Sequence, residues 1–236
     1  MEIHKPRPWH GLRELAKEVA VIVIGVAIAL TGEQGVETLH WAHKTHVAEQ
    51  AMGQELANDL AFAQEQQRLS PCADRYIDAL QNAVQANRPD LIGMVRALSG
   101  LPSGGPIDNH TWTLDTWKAA LAGQVTDHLP AREVQVYARL FDLVTAERDA
   151  QSETVSLAAE VSTGRFGRLD NPVVAADQLK ALDRLRLNEQ NRRQISSVML
   201  RVSKAELGLT PSTARAAEFE RWIAGCEANA AKLPTP

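Results

Sequence analysis

The stretch that decides the fold is VAVIVIGVAIAL, residues 19–30, and the uncharged sequence continues through Thr31 and Gly32. About twelve helical residues rise roughly 18 Å, which is shorter than the ~30 Å hydrocarbon core of a bilayer. Residues on both sides of the run must therefore also lie in the bilayer, and the long charged side chains among them can reach the membrane interface. The sequence predicts a transmembrane helix over residues 15–36 after a short cytoplasmic tail over residues 1–14.

Two alternatives to a membrane anchor stay open. Residues 27–29 (Ala-Ile-Ala) have the small side chains of a signal-peptide cleavage site, and the apolar run has the length of a signal-peptide core. The run also fits a buried core helix of a soluble protein. An anchor is favoured because helix-compatible sequence continues after Leu30, where a mature chain would typically begin with turn-forming residues.

The distribution of basic residues predicts the orientation of this helix. Before the apolar run stand Lys5, Arg7, Arg13 and Lys17. After it, Lys44 is the only Lys or Arg over residues 33–50. The positive-inside rule therefore places the N-terminus in the cytoplasm, and residues 37–236 form an extracytoplasmic domain, which is periplasmic in a bacterium with two membranes.

Small residues on one face of the predicted span indicate a helix–helix contact. Gly25 and Ala29 form a small-xxx-small pair, and Gly32 lies on nearly the same face. Small side chains allow helix backbones to approach closely. We expect this face to contact a protein partner or a second copy of the chain, in addition to the lipid bilayer.

The anchor and the helix after it resemble a known group of proteins. RELAKEVAVIVIGVAIAL (13–30) followed by AEQAMGQELANDLA (48–61) resembles bacterial single-pass inner-membrane proteins whose N-terminal helix reads E-x-x-V-I-x-I-G-V-x-I-A-L. The similarity covers residues 10–63. The resemblance implies an inner-membrane anchor and a periplasmic helical domain, and it implies no activity and no catalytic residue.

Helical periodicity continues through the rest of the chain, and no convincing strand pattern occurs. Pro71 is expected to close a helix that extends from the membrane. Further helices are expected over 73–86, 89–98, 111–122, 130–161, 172–207 and 210–233. Loops are expected near 99–109 and 162–171, and Gly208 is a helix C-terminal signal. The predicted fold is all-α, a transmembrane helix extending into a periplasmic multi-helix bundle.

The two cysteines, Cys72 and Cys226, both follow the predicted span. An oxidising compartment favours a disulfide between them. Such a bond would close a loop of about 155 residues and stabilise the fold by roughly 5 kcal/mol in the loop-entropy model. Two separately buried thiols are the alternative.

A Glu-x-x-His pattern just beyond the span makes Glu37, His40 and His43 weak candidates for a metal site. Helical bundles that bind metal through this pattern use a second copy of it on a facing helix, and the sequence contains no second copy. We therefore predict no metal and no other cofactor. A polar collar, with Trp41 at the depth of the lipid headgroups, is the favoured interpretation.

A polar and aromatic cluster follows the loop at 99–109. Trp112, Asp115 and Trp117 are candidate binding residues, although tryptophans at such positions more often belong to the core. His110 and the adjacent pair Asp127–His128 are the candidates for an unrecognised hydrolase.

Negative findings narrow the function. The net charge of −4 and the absence of a basic cluster argue against a nucleic-acid partner. The sequence lacks phosphate-loop, dinucleotide-binding and HExxH motifs. The 172–207 helix carries arginines interspersed with Asp183 and Glu189, and these fit a solvated face: Arg184, Arg186, Arg192, Arg193 and Arg201. We expect a non-enzymatic accessory subunit or scaffold, with a small-molecule sensor that signals through a membrane partner as the alternative.

Overall fold

The computed structural model describes residues 11–93, 110–163 and 169–233, and these contain helices and no strand, which confirms the all-α prediction. The helices are α1 (Leu12–Gln85), α2 (Asp115–Ala122), α3 (Ala131–Thr163), α4 (Pro172–Val202) and α5 (Ala216–Ala230). A 3-10 turn, Val125–His128, follows α2, and a π-helical turn, Ser203–Leu207, extends α4. Residues 89–93 are also helical. The predicted loop at 99–109 lies outside the described residues.

Helix α1 is longer than the sequence predicts. It has 74 residues and passes through Pro71 without ending, so the predicted break before a separate helix at 73–86 is wrong. A proline inside a helix loses one backbone hydrogen bond and clashes with the preceding turn. Pro71 itself is exposed, whereas Leu60 and Leu80, on either side along the helix, are both buried in the bundle. The packing of α1 before and after Pro71 outweighs the tendency of proline to end a helix. At ~1.5 Å per residue, α1 is about 110 Å long.

Helix α4 packs against the second half of α1 and against α3. Helix α4 runs antiparallel to α1, since Gln81 donates to Asp183 at 2.6 Å and Asp74 accepts from Arg193 at 2.8 Å. The core residues along α1 are mostly large and apolar: Met52, Leu56, Leu60, Ile77 and Leu80. The buried residues of α1 therefore begin well after the apolar run, at Met52. The first third of α1 projects from the bundle.

Helix α5 lies alongside α1 and is covalently joined to it. The sulfur atoms of Cys72 and Cys226 are within bonding distance, with 6.2 Å between the Cα atoms. Arg68 on α1 forms a bidentate ion pair with Glu220, at 2.6 and 3.1 Å. The geometry therefore supports the predicted disulfide, which closes most of the bundle into one covalent loop.

Several helix ends differ from the predictions because tertiary contacts determine them. Helix α2 begins at Asp115 rather than at residue 111, since a distant carboxylate caps it. Helix α5 begins at Ala216 rather than at residue 210; the Ser212 N–H instead donates to the Ala57 carbonyl of α1 at 2.8 Å. Helix α3 continues to Thr163, into the region predicted as a loop.

The predicted helix start at Pro172 and the predicted helix stop at Gly208 are both confirmed, and the cap provided by Asn171 is an additional finding. Asn171 caps α4 by accepting from the Val173 N–H at 3.0 Å, with Pro172 in the first turn. Gly208 has a φ of 65°, a left-handed conformation that favours glycine, and it ends the helical segment.

Candidate functional site

The first candidate site is the exposed apolar part of α1. One helix in the described part of the chain is long and apolar enough to cross a membrane, and its apolar window is 0% buried by the rest of the chain. A core helix of a soluble protein would be mostly buried, so the complete exposure of this window argues against that alternative. The side chains of Val21, Ile24 and Ile28 are 71%, 58% and 67% exposed. A continuous apolar surface of this size on a soluble monomer marks a site of contact with a membrane or a protein.

The small residues of this segment face open space in the single chain. A Cβ atom placed on Gly25 or Gly32 would meet no heavy atom within 4 Å, and Ala29 is exposed. Nothing in the described chain covers this face. The predicted contact through Gly25, Ala29 and Gly32 stays a prediction.

The residues of the predicted metal site lie on the part of α1 that leaves the bundle. Glu37, His40 and His43 are all exposed. No group of three or more metal-ligating side chains is found among residues 11–93, 110–163 and 169–233. His40 instead makes an edge contact with Trp41, with 5.8 Å between the ring centroids.

Trp41 belongs to a cluster where α1 enters the bundle. Its indole stacks on the ring of His128 at 3.7 Å between centroids, and Lys44 Nζ lies 4.4 Å from the indole centroid. Lys44 Nζ also donates to the Gly123 carbonyl at 2.8 Å. The surroundings of Trp41 therefore include residues from the 3-10 turn, and His128 stacks on Trp41 rather than pairing with Asp127. The polar collar at the depth of the lipid headgroups stays a prediction.

The predicted binding residues do not converge on one site. Trp112 is 4% exposed and belongs to the core, and Trp117 stacks on Phe141 at 5.6 Å between ring centroids. Asp115 is exposed at the start of α2. Its backbone N–H donates to Glu55 Oε1 at 3.2 Å, and the Thr116 N–H donates to Glu55 Oε2 at 3.0 Å. These contacts organise the start of α2.

A cluster of polar side chains surrounds Phe62 on α1, and His110 is the one member that was a candidate from the sequence. His110 stacks on the Phe62 ring at 3.6 Å and forms a 2.8 Å hydrogen bond from Nε2 to Asp59 Oδ1. The Arg215 guanidinium lies over the same ring, 4.8 Å from its centroid. The side chains of His110 and Asp59 are only 10% and 3% exposed, and burial raises the pKa of Asp59 despite the histidine.

Glu65, one turn further along α1, is the most unusual residue of this site. It is 3% exposed, and neither carboxylate oxygen has a hydrogen-bond partner in the described structure. Burial raises the pKa of Glu65 to about 8, with Arg215 opposing the shift and Glu218 adding to it. The carboxyl is therefore largely protonated at neutral pH. The only sequence signal was its position on a buried stripe of α1, three residues after Phe62.

A second buried polar group joins α1, α3 and α4. Arg192 Nε donates to Glu147 Oε1 at 2.8 Å, and its Nη1 lies 3.3 Å from Glu189 Oε1. Gln66 of α1 donates to the other oxygen of Glu189 at 2.6 Å. The Arg192 side chain is 2% exposed, so its assignment to a solvated face is wrong. Burial raises the pKa of Glu147, and Arg192 opposes this shift.

Comparisons with known proteins found no matching family model, no matching curated protein and no matching solved structure.

Proposed function

We propose that the chain is a membrane-anchored extracytoplasmic helical protein that acts by protein contact, as an accessory subunit or scaffold. The observation that carries this proposal is the continuity of α1, which joins an exposed apolar segment to a disulfide-linked bundle in one helix. An unbroken helix transmits position and rotation between a membrane and the bundle without an intervening linker.

The dimensions of α1 support the anchor. Residues 15–36 measure about 33 Å as a helix, which matches the ~30 Å hydrocarbon core with a modest tilt. Glu18 and Glu33 lie near the two ends of this segment, where their side chains can reach the interface. The described part of the chain leaves this surface uncovered, and lipid would cover it.

The basic residues and the disulfide support the orientation. The excess of Lys and Arg before the apolar run favours a cytoplasmic N-terminus. The Cys72–Cys226 bond is stable in an oxidising compartment. Both features are consistent with a bacterial inner-membrane protein whose bundle lies in the periplasm, as in the single-pass group that the anchor resembles.

The contact role is supported by the small-residue face of the span. Gly25, Ala29 and Gly32 permit close approach of another helix, either a membrane partner or a second copy.

Native mass spectrometry of the full chain, gently extracted from its own membranes, tests this proposal. We expect a reproducible oligomer or partner complex that Gly25→Leu and Gly32→Leu weaken, because the larger side chains separate the helices. Ile22→Leu is the matched control in the same segment and should leave the complex intact. A bare monomer for the native chain would overturn the proposal.

A further inference from the structure

We propose that the membrane-proximal end of the bundle rests directly on the lipid headgroups of the outer leaflet. This surface, called the base below, consists of Trp41, Lys44 and the 3-10 turn Val125–His128. The inference rests on the proposed function, because it requires residues 15–36 to span the bilayer. It adds a defined lipid-facing surface on the folded bundle, formed in part by residues far from the span in sequence.

The base is a packed unit rather than a set of separate side chains. The rings of Trp41 and His128 are stacked with an interplanar angle of 17°. Lys44 Nζ bonds the Gly123 carbonyl just before the turn. Within the turn Val125 is buried, whereas Asp127 and His128 are exposed. The turn is therefore held at the height of Trp41 along α1.

The unbroken helix fixes the distance from the base to the membrane. Trp41 lies five residues after Val36, which is about 7.5 Å along the helix axis. The headgroup layer on each side of the hydrocarbon core is roughly 5–7 Å thick. Side chains on a helix tilt toward its N-terminus, so the indole reaches back toward the membrane. The base therefore lies at the outer boundary of the headgroups.

The chemistry of the base and of the residues below it fits this position. Val36 and Leu39 are 70% and 73% exposed, so the apolar surface of α1 continues almost to Trp41. Tryptophan is enriched at the membrane interface, where its ring is partly apolar and its N–H is wet. The side chains of Lys44 and His128 likewise combine an apolar body with a polar end. Between Val36 and Trp41 the described surface of α1 is therefore mixed, with Leu39 among the polar side chains.

Spin labels on the full chain in phosphatidylethanolamine–phosphatidylglycerol vesicles test the inference. The native cysteines are joined, so single cysteines introduced as Ile24→Cys, Asp127→Cys and Val155→Cys can be labelled. Collision with oxygen and with a water-soluble nickel chelate reports the depth of each label. Ile24 marks the membrane interior, and Val155, which is 50% exposed on α3, marks water. We expect the Asp127 label to be several-fold less accessible to nickel than the Val155 label.

A lengthened helix provides the matched control. Inserting seven helix-forming residues after His40 raises the base by about 10 Å and changes the rotation of the bundle by only about 20°. The Asp127 label should then become as accessible to nickel as the Val155 label. Equal accessibility of these two labels in the native-length chain, with Ile24 deep in the bilayer, overturns the inference and leaves the anchor intact. A water-exposed Ile24 label overturns both.

Discussion

At the residue scale, the buried charges distinguish this chain from a simple apolar bundle. Glu65 and Arg192 both lie inside the bundle, at 3% and 1% exposure. Neither was identified from the sequence, because periodicity locates the apolar face of a helix and treats charged residues as solvated. Arg192 is surrounded in sequence by other charged residues, and only the packing of α1, α3 and α4 shows that it faces inward.

Replacing Glu65 with glutamine should remove a pH dependence of stability. The ordinary pKa of glutamate is 4.5, and burial raises the pKa of Glu65 to about 8. Between these values the unfolded chain releases a proton that the folded chain retains. The contribution of Glu65 to stability is therefore complete below pH 4.5 and is lost as the pH rises through about 8. Glutamine does not ionise and avoids this loss.

Urea unfolding of the full chain in detergent micelles measures the effect. The advantage of Glu65→Gln over the native chain should grow between about pH 5 and about pH 8. Glu227→Gln is the control, since it makes the same chemical substitution at an exposed position on α5. An advantage of Glu65→Gln that does not vary with pH would contradict this assignment.

Removing the Arg192 guanidinium should destabilise the bundle strongly. Arg192→Met leaves Glu147 and Glu189 buried without their cation, which typically costs about 3–5 kcal/mol in the free energy of unfolding. Arg184→Met on the same helix should cost less than about 1 kcal/mol, because its ion pairs with Glu153 and Glu160 are exposed. Chemical denaturation of both variants distinguishes the two environments. Equal losses would show that the Arg192 cluster contributes no more than a surface pair.

At the scale of elements, most helices were predictable and several of their ends were not. The helix start at Pro172 and the helix stop at Gly208 follow from the local sequence, and the structure confirms both. The start of α2 depends on Glu55, which lies about sixty residues away, so no local pattern indicates it. Pro71 was read as a helix end because proline opposes helix locally, whereas packing on both sides keeps α1 continuous.

Pro71→Ala tests the continuity of α1. Alanine restores the missing backbone donor and removes the steric clash, so the variant should be more stable by up to about 3 kcal/mol. Because Pro71 is exposed, little side-chain packing is lost. Thermal unfolding followed by circular dichroism measures the gain. A clear loss of stability would indicate that proline sets a bend that the bundle needs.

The disulfide should contribute strongly to the attachment of α5. Reduction of the Cys72–Cys226 bond, or the double substitution Cys72→Ser and Cys226→Ser, should lower the free energy of unfolding by about 2–5 kcal/mol. The double variant should then be insensitive to reductant. If reductant leaves the Tm of the native chain unchanged, the Arg68–Glu220 pair and the contacts of Phe62 hold α5 without the covalent bond.

At the scale of the whole molecule, the fold class was readable from the sequence and the candidate site was not. The apolar run and the helical periodicity predicted a long N-terminal helix and an all-α domain, and the structure has both. The polar cluster around Phe62 depends on residues from α1, from the segment before α2 and from the segment before α5. Their convergence is a property of the packed bundle, which spacing along one helix does not encode.

The central claim is that residues 15–36 remain in the membrane and carry the bundle on its outer side. The most direct measurement is the intact mass of the full chain in carbonate-washed membranes of the cells that produce it, compared with the periplasmic fraction. We predict that the membrane fraction holds the chain with residues 19–30 retained. A soluble periplasmic species that lacks this segment would contradict the anchor, because the apolar run would then have served as a cleaved signal peptide.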